Sequence, residues 1–390
     1  MKKLNILLLL MFLSIISCQK KEAALATNAD SLKNVFNPAK QIKIGAIYSL
    51  SGSDAVNNER GLNGTRLAVE EINRQGGING KTIFLQIYDD ESSAAGAQSC
   101  AEKAAADSVL AVLGCTYSSN ALAVAPILQQ NSLPFLLHIA TNPAITAAGD
   151  YIFRVCFINT FQSRLLAKFV LSDLQKKEAA VIFEENNQYS TDLKDEFIKA
   201  FGQAGGRVSA IVSYKKEDTD FSGQLAKIKK SNSPVLFIPA YTAKSGMIIR
   251  QAVNLGLKTV FLGGDGWSDR LFNYADSAAA GSFFLDHWDL GLDDAKSRTF
   301  TAAYKARYAD KLQPNSDAAL AYDAVYLLRE AIVQTGSFKR NQIRDQLQKC
   351  NFQGVTGAIK FDEFRNPHKQ AVIKKIGKST IEFYQVIKLN

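Results

Sequence analysis

The strongest constraint on the fold is a regular alternation of short apolar runs with helix-like stretches, which begins at residue 42. Short buried strands that alternate with helices are typical of parallel sheets covered by helices on both faces. The runs fall into two series, so the sequence predicts an α/β fold with two doubly wound parallel-sheet lobes. We expect strands at 42–50, 82–90, 109–115, 133–139 and 151–157, and then at 178–185, 207–214, 234–240, 258–264 and 281–287.

Helical patterns lie between these runs and after them. They cover 60–75, 94–107, 119–130, 142–148, 293–311, 317–334 and 339–348. The tail from 357 to 390 alternates apolar and polar residues, which predicts strands and hairpins with a turn at "IGKST". The stretch "GGINGKT" resembles a phosphate loop, but Gln75 occupies the position of the required first glycine. Gly76 and Gly77 fit the end of a helix better, so we expect neither ATP nor a dinucleotide cofactor.

The N-terminus has the features of a secretory signal. Two lysines precede an apolar run at residues 4–16, which is shorter than the roughly 20 residues of a membrane span. The four residues that end at Cys18 resemble a bacterial lipobox. We therefore expect a signal peptide at 1–17, a lipid on Cys18 and a flexible tether at 18–40. The alternative is an ordinary signal peptide with an incidental cysteine.

Composition argues against several classes of protein. The formal net charge of +9 is spread along the chain without clusters of basic and aromatic residues, so nucleic-acid binding is not expected. Four cysteines besides Cys18 have no metal-ligand spacing, and buried free thiols are the default expectation. The three histidines are isolated in sequence and give no support to an envelope hydrolase. We expect a protein that is not an enzyme and holds no metal or cofactor.

Polar residues follow the strands of the first series. Ser118 and Ser119 stand where a helix should begin, and Thr141 and Asn142 are plausible caps with Pro143 in the first helical turn. Ligands of open parallel sheets lie beyond the carboxyl ends of the strands. Two helix N-termini with hydroxyl groups would attract a carboxylate there, whereas the simpler alternative is capping alone.

The second series offers aromatic residues and one acid at the same edge. Tyr189, Tyr241 and Asp265 each follow a strand, and Asp265 lies in "FLGGDGWSD" with Trp267 two residues later. The glycines there would let the backbone approach a ligand closely, and Asp265 would supply a negative charge for a cation. Asp265 could instead bond its own turn, the tyrosines could be packing residues, and Trp267 could line the cleft or pack.

Together these motifs make the chain similar to the periplasmic binding proteins of branched-chain amino-acid ABC transporters. The similarity covers about 40–390 and rests on "IKIGAIYSLSG", "GLNGTRLAVEEINRQGGINGK", "VLGCTYSSN", "ATNPAIT", "NNQYSTDL" and "FLGGDGW". It implies the type I periplasmic binding protein fold, with two lobes joined by three crossings near 158, 286 and 356. Lobe 1 would then be 40–158 plus 287–356, and lobe 2 would be 159–286 plus 357–390.

The resemblance also implies roles for individual residues. Ser118 and Thr141, with backbone groups of Ile139 and Ala140, would hold the ligand carboxylate, and Asp265 would hold the ammonium group. Tyr189 and Tyr241 would close over the ligand. The full set of expected ligand-binding residues is Ser118, Ser119, Ile139, Ala140, Thr141, Tyr189, Tyr241, Asp265, Asn57 and Trp267.

The chain departs from the family at three places. The family acid is often glutamate, so the shorter Asp265 requires a deeper ammonium group or a bridging water. Asn57 aligns with an aromatic that lines the side-chain pocket in several members, which weakens the case for leucine-like specificity. The family disulfide has no counterpart, since its positions align with Ser92 and Tyr117.

We therefore predict a monomeric lipoprotein at the periplasm or outer face of a membrane. It would capture a small amino acid by hinge closure and deliver it to the permease and ATPase subunits of an ABC transporter. Alternatives are a sensing receptor with the same cleft, a ligand such as an amide, urea or an aromatic acid, and a scaffold lipoprotein that activates a cell-wall synthase.

Overall fold

The computed structural model describes residues 36–308 and 312–389. The predicted signal peptide, Cys18 and most of the tether lie outside the described residues. From Ile42 onward the chain forms one compact unit. Its two main sheets confirm the predicted α/β fold with parallel-sheet lobes.

The first sheet contains five strands in the order β2-β1-β3-β4-β5. The pairings of β1 with β3, of β3 with β4 and of β4 with β5 are parallel. The strands are β1 (Gln41–Tyr48), β2 (Thr82–Asp89), β3 (Val112–Gly114), β4 (Phe135–Leu137) and β5 (Ile152–Arg154). Each was predicted, and the observed strands are shorter because pairing ends before the apolar run does.

Helices cover both faces of this sheet. They are α1 (Ala55–Arg74), α2 (Ala94–Ala106), α3 (Ser118–Gln130) and a short 3₁₀ helix, Pro143–Ala148. Later in the chain, α9 (Ala295–Tyr308), α10 (Ser316–Thr335) and α11 (Arg340–Lys349) follow. On one face Ile44 and Leu113 pack with Leu320 of α10, and on the other Val112 packs with α2 and α3. Gly77 N–H donates to Ile72 O at the end of α1, which confirms the predicted helix C-cap.

The second sheet contains seven strands in the order β14-β13-β10-β9-β8-β6-β7. These are β6 (Glu178–Glu184), β7 (Arg207–Tyr214), β8 (Val235–Ile238), β9 (Val260–Gly263), β10 (Phe283–Asp286), β13 (Ala371–Ile376) and β14 (Ile381–Ile387). The five strands from β6 to β10 are parallel and repeat the strand order of the first sheet, while β13 and β14 are antiparallel.

The second lobe is also wrapped by helices. They are α4 (Asn159–Lys168), continued by one π-helical turn at Phe169–Asp173, α5 (Gln188–Gln203), α6 (Ser222–Ser231), α7 (Thr242–Asn254) and α8 (Phe272–Ala275), with 3₁₀ turns at Asp269–Leu271 and Asp276–Ala279. The predicted "IGKST" turn is present between β13 and β14, where Gly377 N–H donates to Thr380 O.

The three predicted crossings lie beside residues of different hydrophobic cores. Near the first predicted crossing, Cys156 packs in the core beside the first sheet and Phe157 packs in the core beside the second. Leu285 packs in the second lobe, and Trp288 packs with Leu67 of α1. The third predicted crossing, near 356, falls within a two-stranded hairpin. A hairpin of β11 (Asn351–Gly354) and β12 (Gly357–Lys360) packs Ile359 and Phe361 into the core of the first lobe. The remaining lobe boundaries stay predictions.

A pair of helical glycines tests this packing. A Cβ on Gly64 of α1 would lie 2.1 Å from the backbone oxygen of Ala318, whereas one on Gly202 of α5 would meet nothing within 4 Å. We expect Gly64→Ala to lower the free energy of unfolding by about 1–3 kcal/mol, since α1 and α10 must separate. Gly202→Ala should raise it by about 0.5–1 kcal/mol. Urea unfolding measures both, and equal effects would contradict the close approach of α1 to α10.

Candidate ligand-binding cleft

One cavity between the lobes brings together nine of the ten predicted ligand-binding residues. Its volume is about 90 Å³. The nine residues are Asn57, Ser118, Ile139, Ala140, Thr141, Tyr189, Tyr241, Asp265 and Trp267. Ser119 is half-buried in the first turn of α3 and is not part of the lining. Except for Asn57 on α1, the nine follow the carboxyl ends of strands, as the topology requires.

The first-lobe side of the cavity offers hydroxyl groups and helix N–H groups. Ser118 is the first residue of α3, a helix of 13 residues, and is buried. The 3₁₀ helix after β4 is capped by Asn142, whose Oδ1 accepts from Ala144 N–H at 2.9 Å, with Pro143 in its first turn. The predicted capping role therefore belongs to Asn142. The buried hydroxyl of Thr141 has no hydrogen-bond partner among the described residues.

The helix dipole at this side comes mainly from one helix. The sequence predicts two helix N-termini, but the second belongs to a 3₁₀ helix of only six residues. A macrodipole requires several aligned turns, so α3 supplies most of the favourable field for an anion. The free hydroxyl of Thr141 adds a donor at the same wall.

On the second-lobe side, Asp265 is held by three side chains. Gln162 Nε2 and the Tyr189 hydroxyl both donate to its Oδ1 at 2.9 Å, and His287 Nε2 lies 3.0 Å from its Oδ2. The His287 ring stacks on Phe157 with centroids 3.6 Å apart. The Asp265 side chain is 4% exposed. A carboxylate accepts about four hydrogen bonds, so one acceptor position of Asp265 remains for another donor.

The glycines around Asp265 serve this network. A Cβ on Gly264 would lie 2.7 Å from Gln162 Oε1 and 2.8 Å from the Tyr189 hydroxyl, and one on Gly263 would lie 2.3 Å from the Trp267 ring. The sequence predicts close approach of backbone to a ligand. At these two glycines the backbone instead approaches the protein's own side chains, which orient Asp265.

The aromatic residues of the cleft form a contact across the two lobes. Tyr189 stacks on Tyr241 with centroids 4.9 Å apart, and Tyr241 meets Tyr117 of the first lobe edge-on at 5.0 Å. Burial, together with the charge of Asp265, raises the pKa of Tyr189 well above its usual value, so its hydroxyl stays protonated and donates. Trp267 is buried, lines the cavity and packs near Phe284, so it takes both predicted roles.

Several polar residues of the cleft are absent from the sequence predictions. Arg60 of α1 forms a two-pronged ion pair with Asp269 of the second lobe, with both N–O distances 2.6 Å. Asp317 lines the same cavity and its Oδ1 lies 2.8 Å from His138 Nε2. Arg60 falls inside a helical pattern that resembles a solvated face, and no local pattern indicates its partner. His287 ends a predicted strand, so the strand-end rule could have identified it.

Other features of the described residues bear on cofactors and membranes. The four cysteines Cys100, Cys115, Cys156 and Cys350 are buried free thiols, as expected. Within residues 36–308 and 312–389, no group of three His, Cys, Asp or Glu side chains has an arrangement that could hold a metal ion. In the same ranges, no helix has both the length and the apolar character required to cross a bilayer.

Comparison with known proteins identifies relatives that match most of this chain. Leu/Ile/Val-binding protein BraC3 of Rhizobium johnstonii is 31% identical over 300 residues, which is 76% of this chain and 80% of the relative. The leucine-binding protein LivK of Thermotoga maritima has a TM-score of 0.84 and 31% identity, and the match covers 89% of this chain and 98% of that one. Streptococcus pneumoniae LivJ, solved with isoleucine, has a TM-score of 0.83 and 29% identity, covering 90% and 99%. A family model described as periplasmic binding protein matches residues 41–376, so the chain belongs to the periplasmic binding protein family.

Proposed function

We propose that this protein is a lipid-anchored, extracytoplasmic solute-binding protein that captures a small amino acid between its lobes and delivers it to an ABC permease. The observation that carries the proposal is the pair of opposed groups at one cavity. The free hydroxyl of Thr141 lies on one lobe, and the carboxylate of Asp265 lies on the other. This arrangement is complementary to a zwitterion.

In this proposal the first lobe binds the ligand carboxylate. Ser118 and Thr141, the N-terminus of α3 and backbone groups at Ile139 and Ala140 provide the donors. Asp265 binds the ammonium group through its remaining acceptor position. Its three protein partners orient the carboxylate but do not use all of its acceptor positions. The names of the relatives, which include leucine, isoleucine and valine, support an amino acid as the ligand class.

Contacts across the cleft support hinge closure as the mode of capture. The Arg60–Asp269 ion pair, the Tyr117–Tyr241 contact and a hydrogen bond from Asn142 Nδ2 to Gln188 O at 3.1 Å all join the two lobes. Each would be lost if the lobes separated. A ligand that bridges Thr141 and Asp265 would bind only the closed form well, and it would therefore shift the equilibrium toward closure.

A thermal-shift screen of the full-length protein in mild detergent tests the ligand class. A true ligand at one hundred times its dissociation constant should stabilise the protein by about 2.7 kcal/mol, which raises the melting temperature. Small amino acids should raise the melting temperature, while analogues without the carboxylate or without the ammonium group should raise it only weakly. Stabilisation by acetamide, urea or benzoate but by no amino acid would contradict the proposal. Cells that lack this protein should lose uptake of the ligand if the protein serves transport, and they should keep it if the protein serves sensing alone.

A further inference from the structure

The cavity carries one more acidic group than the ammonium and carboxylate of an amino acid require. In the proposed function the ligand ammonium uses Asp265, and the carboxylate uses Ser118 and Thr141. Asp317 also lines the cavity. The nearby cation Arg60 is directed elsewhere, because both of its terminal nitrogens donate to Asp269.

Asp317 is buried, and one of its two carboxylate oxygens lacks a hydrogen bond to any described residue. It lies in the first turn of α10, after the cap formed by Asn315, and its side chain is 7% exposed. Its Oδ1 is near His138 Nε2 at 2.8 Å, but its Oδ2 has no hydrogen-bond partner in the described part of the chain. Gly61 leaves it room, since a Cβ there would lie 2.7 Å from Oδ2.

The cavity wall around Asp317 is also polar. Asn57, Thr116, Asn315 and Ser316 contribute to the lining on the same lobe. Thr116 donates to Asn58, and Ser316 donates to Asp286, so these two hydroxyl protons are already engaged within the protein. Among these lining residues, Asp317 is therefore the one whose carboxylate oxygen still needs a hydrogen-bond donor.

We infer that Asp317 is a specificity-determining residue that makes the cleft prefer amino acids whose side chain donates a hydrogen bond. The inference rests on the proposed function and narrows its ligand class. An apolar side chain in the cavity would leave this buried carboxylate oxygen without a hydrogen-bond donor. A hydroxyl, amide or ammonium group on the ligand would satisfy that oxygen. Sites that hydrogen-bond a ligand group discriminate strongly against the analogue that lacks it.

Calorimetric titration with two nearly isosteric pairs tests this inference. The probes are threonine against valine, and asparagine against leucine, each titrated into the full-length protein. We expect the donor-bearing member of at least one pair to bind about tenfold or more tightly. Asp317→Leu should abolish or reverse that preference, and Asp317→Asn, which keeps an acceptor oxygen, should retain part of it. The exposed variant Asp293→Asn is the matched control and should leave the ratio unchanged.

Three results would overturn the inference. One is equal or tighter binding of valine and leucine by the unmodified protein, which would leave the proposed function intact. Another is an equal loss for all four amino acids in both Asp317 variants, which would mean that Asp317 supports the head-group site or the fold. If the Leu variant fails to fold, an unchanged ratio in the Asn variant still counts against the inference. Binding of none of the four would contradict the proposed function itself.

Discussion

Asp265→Asn is expected to weaken amino-acid binding by about 2–5 kcal/mol, the usual loss when one member of a buried charge pair is neutralised. The Asp265 side chain is almost fully buried, and its position is fixed by Gln162, Tyr189 and His287. The variant keeps the shape of the site, but the ligand ammonium group loses its counter-charge in a place that water hardly reaches. Isothermal titration with a ligand found in the thermal-shift screen measures the loss.

The matched control is Asp293→Asn. Asp293 is 91% exposed and pairs with Arg298 at the surface, so the same chemical change there should leave the dissociation constant unaltered. If the dissociation constant of Asp265→Asn stayed within twofold of that of the unmodified protein, Asp265 would not be the residue that binds the ammonium group. Asp317 would then be the next acid in the cavity to test.

Lys374→Met is expected to lower the free energy of unfolding by about 3–5 kcal/mol, because it leaves the buried carboxylate of Asp286 and the partly buried one of Asp289 without their cation. Lys374 Nζ lies 2.8 Å from Asp286 Oδ2 and 3.1 Å from Asp289 Oδ2, and its side chain is 10% exposed. Burial alone would lower the pKa of Lys374, but the two carboxylates raise it, so the ammonium form is held. Urea unfolding followed by circular dichroism measures the change.

An exposed ion pair provides the comparison for Lys374. Arg298 pairs with Asp293 on the surface, where the two side chains are 63% and 91% exposed. Arg298→Met should therefore change the free energy of unfolding by less than about 1 kcal/mol. If the two Met variants were destabilised equally, the Lys374 cluster would contribute no more than a surface pair.

The sequence was sufficient to predict the architecture because hydrophobic periodicity reports it directly. All ten strands predicted before residue 290 are present, whereas the order of the strands within each sheet was not predicted. The same logic predicted that Ser118, Thr141, Tyr189, Tyr241 and Asp265 would lie close together, since each follows a strand and the carboxyl ends of parallel strands meet at one edge. All five line the cavity.

The long-range contacts around the cleft could not be predicted in the same way. Gln162 is 103 residues from Asp265, and Arg60 is 209 residues from Asp269. Both lie in helical segments, where the pattern reports a buried or solvated face but no distant partner. The packing of the hairpin after residue 350 could not be predicted for a related reason. The strand pattern at 357–360 indicates a hairpin, but it does not indicate which lobe the hairpin packs against.

In the proposed function, the dipeptide Asp286–His287 at the predicted second crossing would link the charge of the ligand to the orientation of the lobes. His287 contacts Asp265, while Asp286 accepts a hydrogen bond from Ser316 of the other lobe at 2.5 Å and pairs with Lys374. In the proposed mode of capture, these two adjacent residues would serve both ligand recognition and the hinge. A protein engineer who wishes to change the preferred solute should therefore leave this dipeptide and Ser316 intact and redesign Asn57 of α1 and Asp317 of α10, which line the same cavity.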